Sequence, residues 1–375
     1  MHRRWIVSVT AVVAAVLGGI PAASAPAVAA PRSVGHVFVI NLENKDFAAT
    51  WGPDSPAPYL STTLRARGLF LSRYFGVAHH SLPDYIAQIS GQGPSGQTQA
   101  DCPEYTEFER TGTGAFDQAL GDGCVYPASV VTIADQLDAA GLAWKAYQED
   151  IGKSSSAPTT CRHPKLAATD TTLEARRGDQ YATRHNPFMY FHSVIDSPTC
   201  RDKVVGLDAL TRDLATVDTT PALSYITPNL CNDGHDDPCV DGRPGGLVAA
   251  DKWLRVWVPK ILRSPAFRQD GMLVITFDEA EDDSRACCGS PAPPNVDRAG
   301  ITGPGGGRVG ALVLSPLVRP GSTSRVPYNH YSLLCSLEDA FGLAHLGYAA
   351  QPGLACFGSD VYGSAQPVSL IRPDG

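Results

Sequence analysis

The sequence predicts an α/β fold: a mostly parallel central sheet with helices on both faces. Three observations point to it. Five short apolar runs are rich in β-branched residues, helical patterns alternate with them, and polar residues follow the runs at once. Runs of this length bounded by turn residues are buried strands, and strand and helix in alternation imply a parallel sheet covered on each side.

In chain order, the first segment is "MHRRWIVSVTAVVAAVLGGIPAASAPAVAAP". Two arginines, an apolar run and small residues at A-x-A spacing predict a signal peptide over 1–29, with cleavage after Ala25 or Ala29. The apolar run is too short and too broken by glycine for a stable membrane anchor. The strands follow as "HVFVINL" (36–42), "AWKAY" (143–147), "ALSYIT" (222–227), "MLVITF" (272–277) and "GALVLS" (310–315). Helical patterns occupy "PYLSTTLRARG" (58–68), "SVVTIADQLDAAG" (129–141), "GLVAADKWLRVWVPKIL" (246–262) and "YSLLCSLEDAFG" (331–342). A further helix starts in "HHSLPDYIAQISG": Ser81 and Asp84 have capping-box spacing, Pro83 suits a first turn, and Gly91 ends the helix. Pro/Gly/Ser-rich stretches at 91–97, 153–159, 289–307 and 351–375 are loops and a tail. One domain over 30–375, with an insertion at about 92–200, is the economical reading.

Bulk composition narrows the function. Loss of Arg3 and Arg4 with the leader moves the formal charge from −8 to −10. An acidic chain is a poor partner for nucleic acid, whose phosphates demand a basic face, but it has room for bound cations. Ten cysteines in an exported chain predict disulfides, which fits a secreted protein. Local pairing joins Cys102 with Cys124, Cys161 with Cys200, Cys231 with Cys239 and Cys335 with Cys356. Cys287 and Cys288 are left to bond each other or to force a reshuffle.

In open parallel sheets, functional residues collect beyond the carboxyl ends of the strands. Here 36–42 runs into Glu43 and Asn44, 272–277 into Asp278 and Glu279, and 222–227 into "PNLCNDGHDD" with Asp233 and His235. Acids gathered at one mouth repel each other, and a divalent cation relieves that repulsion. His235 and the later His330 add nitrogen ligands for a second position. Ser81 at a helix start lies among free N–H groups that suit a phosphate, and a coordinated cation would make its hydroxyl a nucleophile. "GPGGGRVG" (303–310) lacks the ending of a phosphate-binding P-loop and is a turn before a strand.

Seven segments in order, "HVFVINLENKDF", "AHHSLPDYIAQISG", "YATRHNPFMYF", "PNLCNDGHDD", "LVITFDEAEDD", "GGRVGALVLSPLVRPG" and "NHYSLLCSLEDAFGL", resemble the bacterial phosphoesterase family of secreted acid phosphatases and phospholipase C-like enzymes in the alkaline phosphatase superfamily. The resemblance implies an alkaline phosphatase-like fold. It also implies Ser81 as nucleophile and a first metal site of Glu43, Asn44, Ser81, Asp278 and Glu279. Asp233, His235 and His330 would form a second site, and His185 would line the substrate site. Two positions depart from the superfamily pattern. Cys231 stands where an aspartate is usual, and Glu279 where histidine is frequent, which favours calcium, magnesium or manganese over zinc.

The function expected from these residues is a secreted, metal-dependent phosphomonoesterase acting through a phosphoserine, with phosphoinositides among its substrates. His79, His80 or His185 would protonate the leaving oxygen, and an imidazole half charged near pH 6.5 suits a mildly acidic optimum. Rivals are a phospholipase C-type phosphodiesterase, a metal-free serine hydrolase, weakened by the lack of a G-x-S-x-G elbow, and a non-catalytic exported binding protein.

Overall fold

The computed structural model describes residues 33–363. The expected leader and the end of the tail lie outside the described residues. Eight strands form the central sheet: β1 (His36–Leu42), β2 (Leu69–Leu71), β3 (Trp144–Gln148), β4 (Val204–Gly206), β5 (Leu223–Thr227), β6 (Gly271–Phe277), β7 (Ala311–Leu314) and β8 (Ser322–Ser324). Their order is β8-β2-β7-β6-β1-β5-β3-β4. Five strands in a row, β6 through β4, are parallel, and β7 runs against both of its neighbours. The predicted strands are all present, and every residue of β1 after His36 is buried, as a sheet covered on both sides requires.

Five helices frame the sheet: α1 (Ser81–Ser90), α2 (Ile133–Ala139), α3 (Gly246–Arg263), α4 (Pro265–Asp270) and α5 (His330–Phe341). Successive side chains of a strand point to opposite faces, and two contacts show what covers each. Phe38 of β1 meets Phe267 of α4, with ring centroids 6.4 Å apart. Tyr225 of β5, in register with Val39, donates from its hydroxyl to Gln88 of α1 at 2.9 Å. Helices therefore cover both faces.

Local chemistry sets the ends of these elements. Thr132 and Asp135 exchange hydrogen bonds as a capping box, so α2 starts at Ile133 and leaves Ser129–Val131 outside the predicted helix. The predicted helix at 58–68 is instead a wide π-type turn, Tyr59–Leu64, in which the N–H of Arg65 reaches back to Leu60. Gly91 ends α1 at φ 67°, and a Cβ there would lie 2.3 Å from the carbonyl oxygen of Leu346, so only glycine fits. The capping box expected at Ser81 is absent. His80 is the cap position, and the Asp84 carboxylate turns back to accept from the N–H groups of Val77 and Ala78 at 2.6 and 3.1 Å.

The four locally paired disulfides are present, and of the two outcomes left open for Cys287 and Cys288 the structure has them bonded to each other. The span 92–200 is not one insertion, because β3 lies inside it and pairs with β5. No helix among the described residues is long and apolar enough to cross a membrane.

Glu338 in α5 is buried away from the sheet's carboxyl edge, and Oε1 accepts from the N–H of Leu346 at 2.9 Å. Burial first, then the neighbouring Asp339, push its carboxyl from 4.5 up to about 9. A group raised in the fold stabilises below its unfolded pKa and loses that contribution as pH rises toward the folded value. Thermal melts from pH 5 to pH 9 should therefore show a falling Tm, and Glu338→Gln should flatten the fall. Equal slopes in both proteins would refute the assignment.

Candidate active site

The carboxyl ends of β6, β1, β5 and β3 meet at one edge, and backbone bonds continue past the strands to hold the polar residues there. The N–H of Asp278 donates to Leu42, that of Glu43 to Asp233, and that of Glu149 to Thr227, each at 3.0 Å. Asn44 takes a left-handed φ of 41°, and its N–H donates to Asp278 Oδ1 at 3.0 Å. Glu43, Asp233 and Asp278 are fully buried as a result.

Glu43 is the centre of this group. Ser81, in the first turn of α1, donates from Oγ to Glu43 Oε2 at 2.9 Å. Tyr85, one turn further on, donates to Oε1. Residues four apart share a helix face, so one helix grips both oxygens of one carboxylate. The Tyr85 ring also stacks on His185, with centroids 5.4 Å apart and planes 4° from parallel. His185 Nδ1 lies 3.2 Å from Asp233 Oδ2, and Nε2 lies 3.4 Å from Glu43 Oε2.

The donor set fits a hard cation. The side-chain oxygen of Asn44 faces Glu43 Oε2 at 3.0 Å and the two Asp278 oxygens at 3.2 and 3.3 Å. Oxygens turned toward one another at these separations need either an inverted amide or a positive ion among them, and such ligands suit calcium, magnesium or manganese. Glu43, His185 and Asp233 offer a second, overlapping set, with one ligand atom from each and all three within 4.8 Å of one another. Burial, followed by repulsion from Asp278 and Asp233, holds the Glu43 carboxyl well above its usual range. Burial likewise raises Asp233, Asp278 and Glu279. Burial pushes the His185 imidazole well down, with help from Arg184 and His235, so it stays neutral.

The expected site residues are regrouped by these contacts. Glu43, Asn44, Ser81 and Asp278 come together at one point. Glu279 stands beside them, its carboxylate paired with His79 Nδ1, while His79 Nε2 lies 3.3 Å from the carbonyl oxygen of Asp283. His235 and His330 do not join Asp233 in a second site. His235 Nδ1 is 2.8 Å from Asp236, and Nε2 is 3.2 Å from Arg184 Nη2, so a guanidinium stands where a cation was expected. His330 is buried behind Asp278. One nitrogen faces the Tyr74 hydroxyl at 3.0 Å and the other faces the Asp278 carbonyl oxygen, which makes it a brace. Burial lowers its pKa to about 4.

The helix start is also less open than the sequence implies. The N–H of Leu82 donates to Asp101 Oδ1 at 2.9 Å, and Pro83 has no N–H. Tyr85, Asp101 and Arg184 were missed in the sequence. Only the spacing of Tyr85, four residues after Ser81, offered a signal. The glycine turn at 303–310 packs behind Ser81, where a Cβ on Gly306 would lie 2.2 Å from the Ala78 carbonyl oxygen. A cavity of about 250 Å³ lined by Val77, Cys287, Tyr331 and Tyr348 includes none of the clustered acids.

A parallel α/β sheet with a serine, buried acids and an imidazole at its carboxyl edge has the architecture of a hydrolase-like α/β protein. The model of the Phosphoesterase family matches residues 54–344, and the chain belongs to that family. It is 25% identical over 313 residues to a "Probable acid phosphatase" of Kluyveromyces lactis, covering 83% of this chain and 59% of that protein. It is 25% identical over 333 residues to a "Phosphatidylinositol-3-phosphatase" of Mycobacterium tuberculosis, covering 89% and 85%. The chain thus spans under two thirds of the length of the fungal relative. A protein of the alkaline phosphatase superfamily from Vibrio parahaemolyticus aligns over 85% of this chain and 70% of that one, with a TM-score of 0.47 and 11% identity.

Magnesium, calcium or manganese added to chelator-stripped protein should raise Tm, since a ligand at a hundred times its Kd stabilises by about 2.7 kcal/mol. Asp278→Asn should abolish the rise, whereas His235→Gln should leave it nearly intact. A full response in Asp278→Asn would place the cation elsewhere.

Proposed function

We propose that this chain is a secreted, metal-dependent phosphomonoesterase of acid-phosphatase type, working through a phosphoserine on Ser81. The observation that carries the reading is the Ser81 hydroxyl donating to Glu43 Oε2 at 2.9 Å inside a buried cluster of oxygen ligands. Family membership and the acid phosphatase and phosphatidylinositol-3-phosphatase relatives support a phosphate ester as substrate, with phosphoinositides among the candidates. Five disulfides support export.

Glu43, Asn44, Ser81 and Asp278 would hold the cation, with Glu279 beside them. A bound divalent ion supplies positive charge that offsets the acids and the phosphoryl oxygens. The chain's own groups do the rest. Ser81 Oγ attacks phosphorus, the Oγ–P bond forms, the P–O bond to the leaving group breaks, and the Ser81 proton passes to Glu43 Oε2. The His79–Glu279 pair gives a proton through His79 to the departing oxygen, which leaves as the alcohol. In the second half, water adds to phosphorus and the P–Oγ bond breaks. His79 takes a proton from that water, and Oγ recovers its own from Glu43. Tyr85 and His185 keep the Glu43 carboxylate oriented through both halves.

Ser81→Ala should lower turnover of p-nitrophenyl phosphate by about a thousandfold or more in a variant that still melts cooperatively. Acid-quenched wild type should retain phosphate on the protein, and the variant should retain none. Unaltered turnover in the variant would end the nucleophile assignment.

A further inference from the structure

Arg184 is the unused charge at this site. Arg184 is buried, with 4% of the residue exposed. Nη1 donates to the Leu173 carbonyl oxygen at 2.6 Å, Nη2 lies 3.2 Å from His235 Nε2, and Nε lies 3.7 Å from Asp101 Oδ2. Buried arginines are ordinarily closed by a two-pronged carboxylate. Arg162, in the same part of the chain, has that partner, donating to both oxygens of Asp179 at 2.8 and 2.7 Å. Arg184 has no such fork among the described residues, although Glu43, Asp101, Asp233 and Glu279 are all near enough for its charge to oppose the upward push of burial on them.

The helix start explains why such a cation is needed. With the N–H of Leu82 given to Asp101 and no N–H on Pro83, two of the first amides of α1 that would ordinarily meet an anion are withdrawn. Asp101 lies between that amide and Arg184, and a left-handed φ of 59° with the adjoining Cys102–Cys124 bridge fixes it there. His235 holds the guanidinium from the other side, its Nδ1 anchored on Asp236.

We propose that Arg184 is the residue that binds the phosphoryl group. The guanidinium N–H groups not taken by Leu173 and His235 bind a non-bridging oxygen, which makes the site selective for dianionic phosphomonoesters over monoanionic diesters. Asp101 is the positioning residue that sets Arg184 relative to Ser81. This rests on the reading of Ser81 as nucleophile. A monoester has one more charged oxygen than a diester, so a fixed second cation favours it, and a resident guanidinium does this where a second metal would otherwise be required.

The test uses the full chain with Arg184→Met and Arg184→Lys, assayed on p-nitrophenyl phosphate and bis(p-nitrophenyl) phosphate, with inorganic phosphate as inhibitor. Arg184→Met should lower kcat/KM for the monoester by about a hundredfold or more and for the diester by no more than about tenfold. The inhibition constant for phosphate should rise in parallel, and Arg184→Lys should recover part of each loss. Asp101→Asn should raise KM for the monoester more than it lowers kcat. Equal losses on both substrates with unchanged phosphate inhibition would overturn the proposal, as would a wild type that prefers the diester. If Ser81→Ala is inactive while both Arg184 variants turn over the monoester normally, this inference fails alone. If Ser81→Ala is active, the reading beneath it fails.

Discussion

The Glu43 carboxylate sits buried at the end of β1, and much of the site is arranged to hold it there. A buried carboxylate costs several kcal/mol unless its oxygens are occupied. Here α1 supplies one hydroxyl to each oxygen, from Ser81 and Tyr85, and His185 lies against the same edge. Stacking on Tyr85 fixes the His185 ring, and Asp233 holds its far nitrogen. Glu43, Ser81, Tyr85, His185 and Asp233 are thus one packed unit drawn from the end of β1, from α1, from the segment between β3 and β4 and from the segment after β5.

Charge balance follows from this arrangement. Acids from three strands meet in a space where burial already disfavours ionisation, so the centre is incomplete without positive charge. A hard cation held by Glu43, Asn44, Ser81 and Asp278, as proposed above, would be one source. The other is built in: Arg184 stands where His235 would have offered a second metal its nitrogen. A bound cation on one flank and the guanidinium on the other would give the site two unlike walls.

The strands and their polar ends were readable because β-branched runs pass directly into Glu43, Asn44, Asp278 and Glu279 with no intervening loop. The local disulfide pairing was readable for the same reason, since neighbours in sequence are neighbours in the fold. Roles set by packing were not. His330 and His185 are both buried histidines, and sequence does not distinguish an imidazole bracing a carbonyl from one facing a carboxylate. Tyr85 was hidden in a helix whose every residue is buried. Asp84 has capping-box spacing yet serves the turn before the helix, where it accepts from the Val77 and Ala78 N–H groups.

The bridge between Cys102 and Cys124 adjoins Asp101, the carboxylate that links the first turn of α1 to Arg184. That geometry is therefore braced by an oxidised thiol pair. With those thiols reduced, the polypeptide would have every residue of the centre but lack this brace, and the proposed export would couple competence to an oxidising environment.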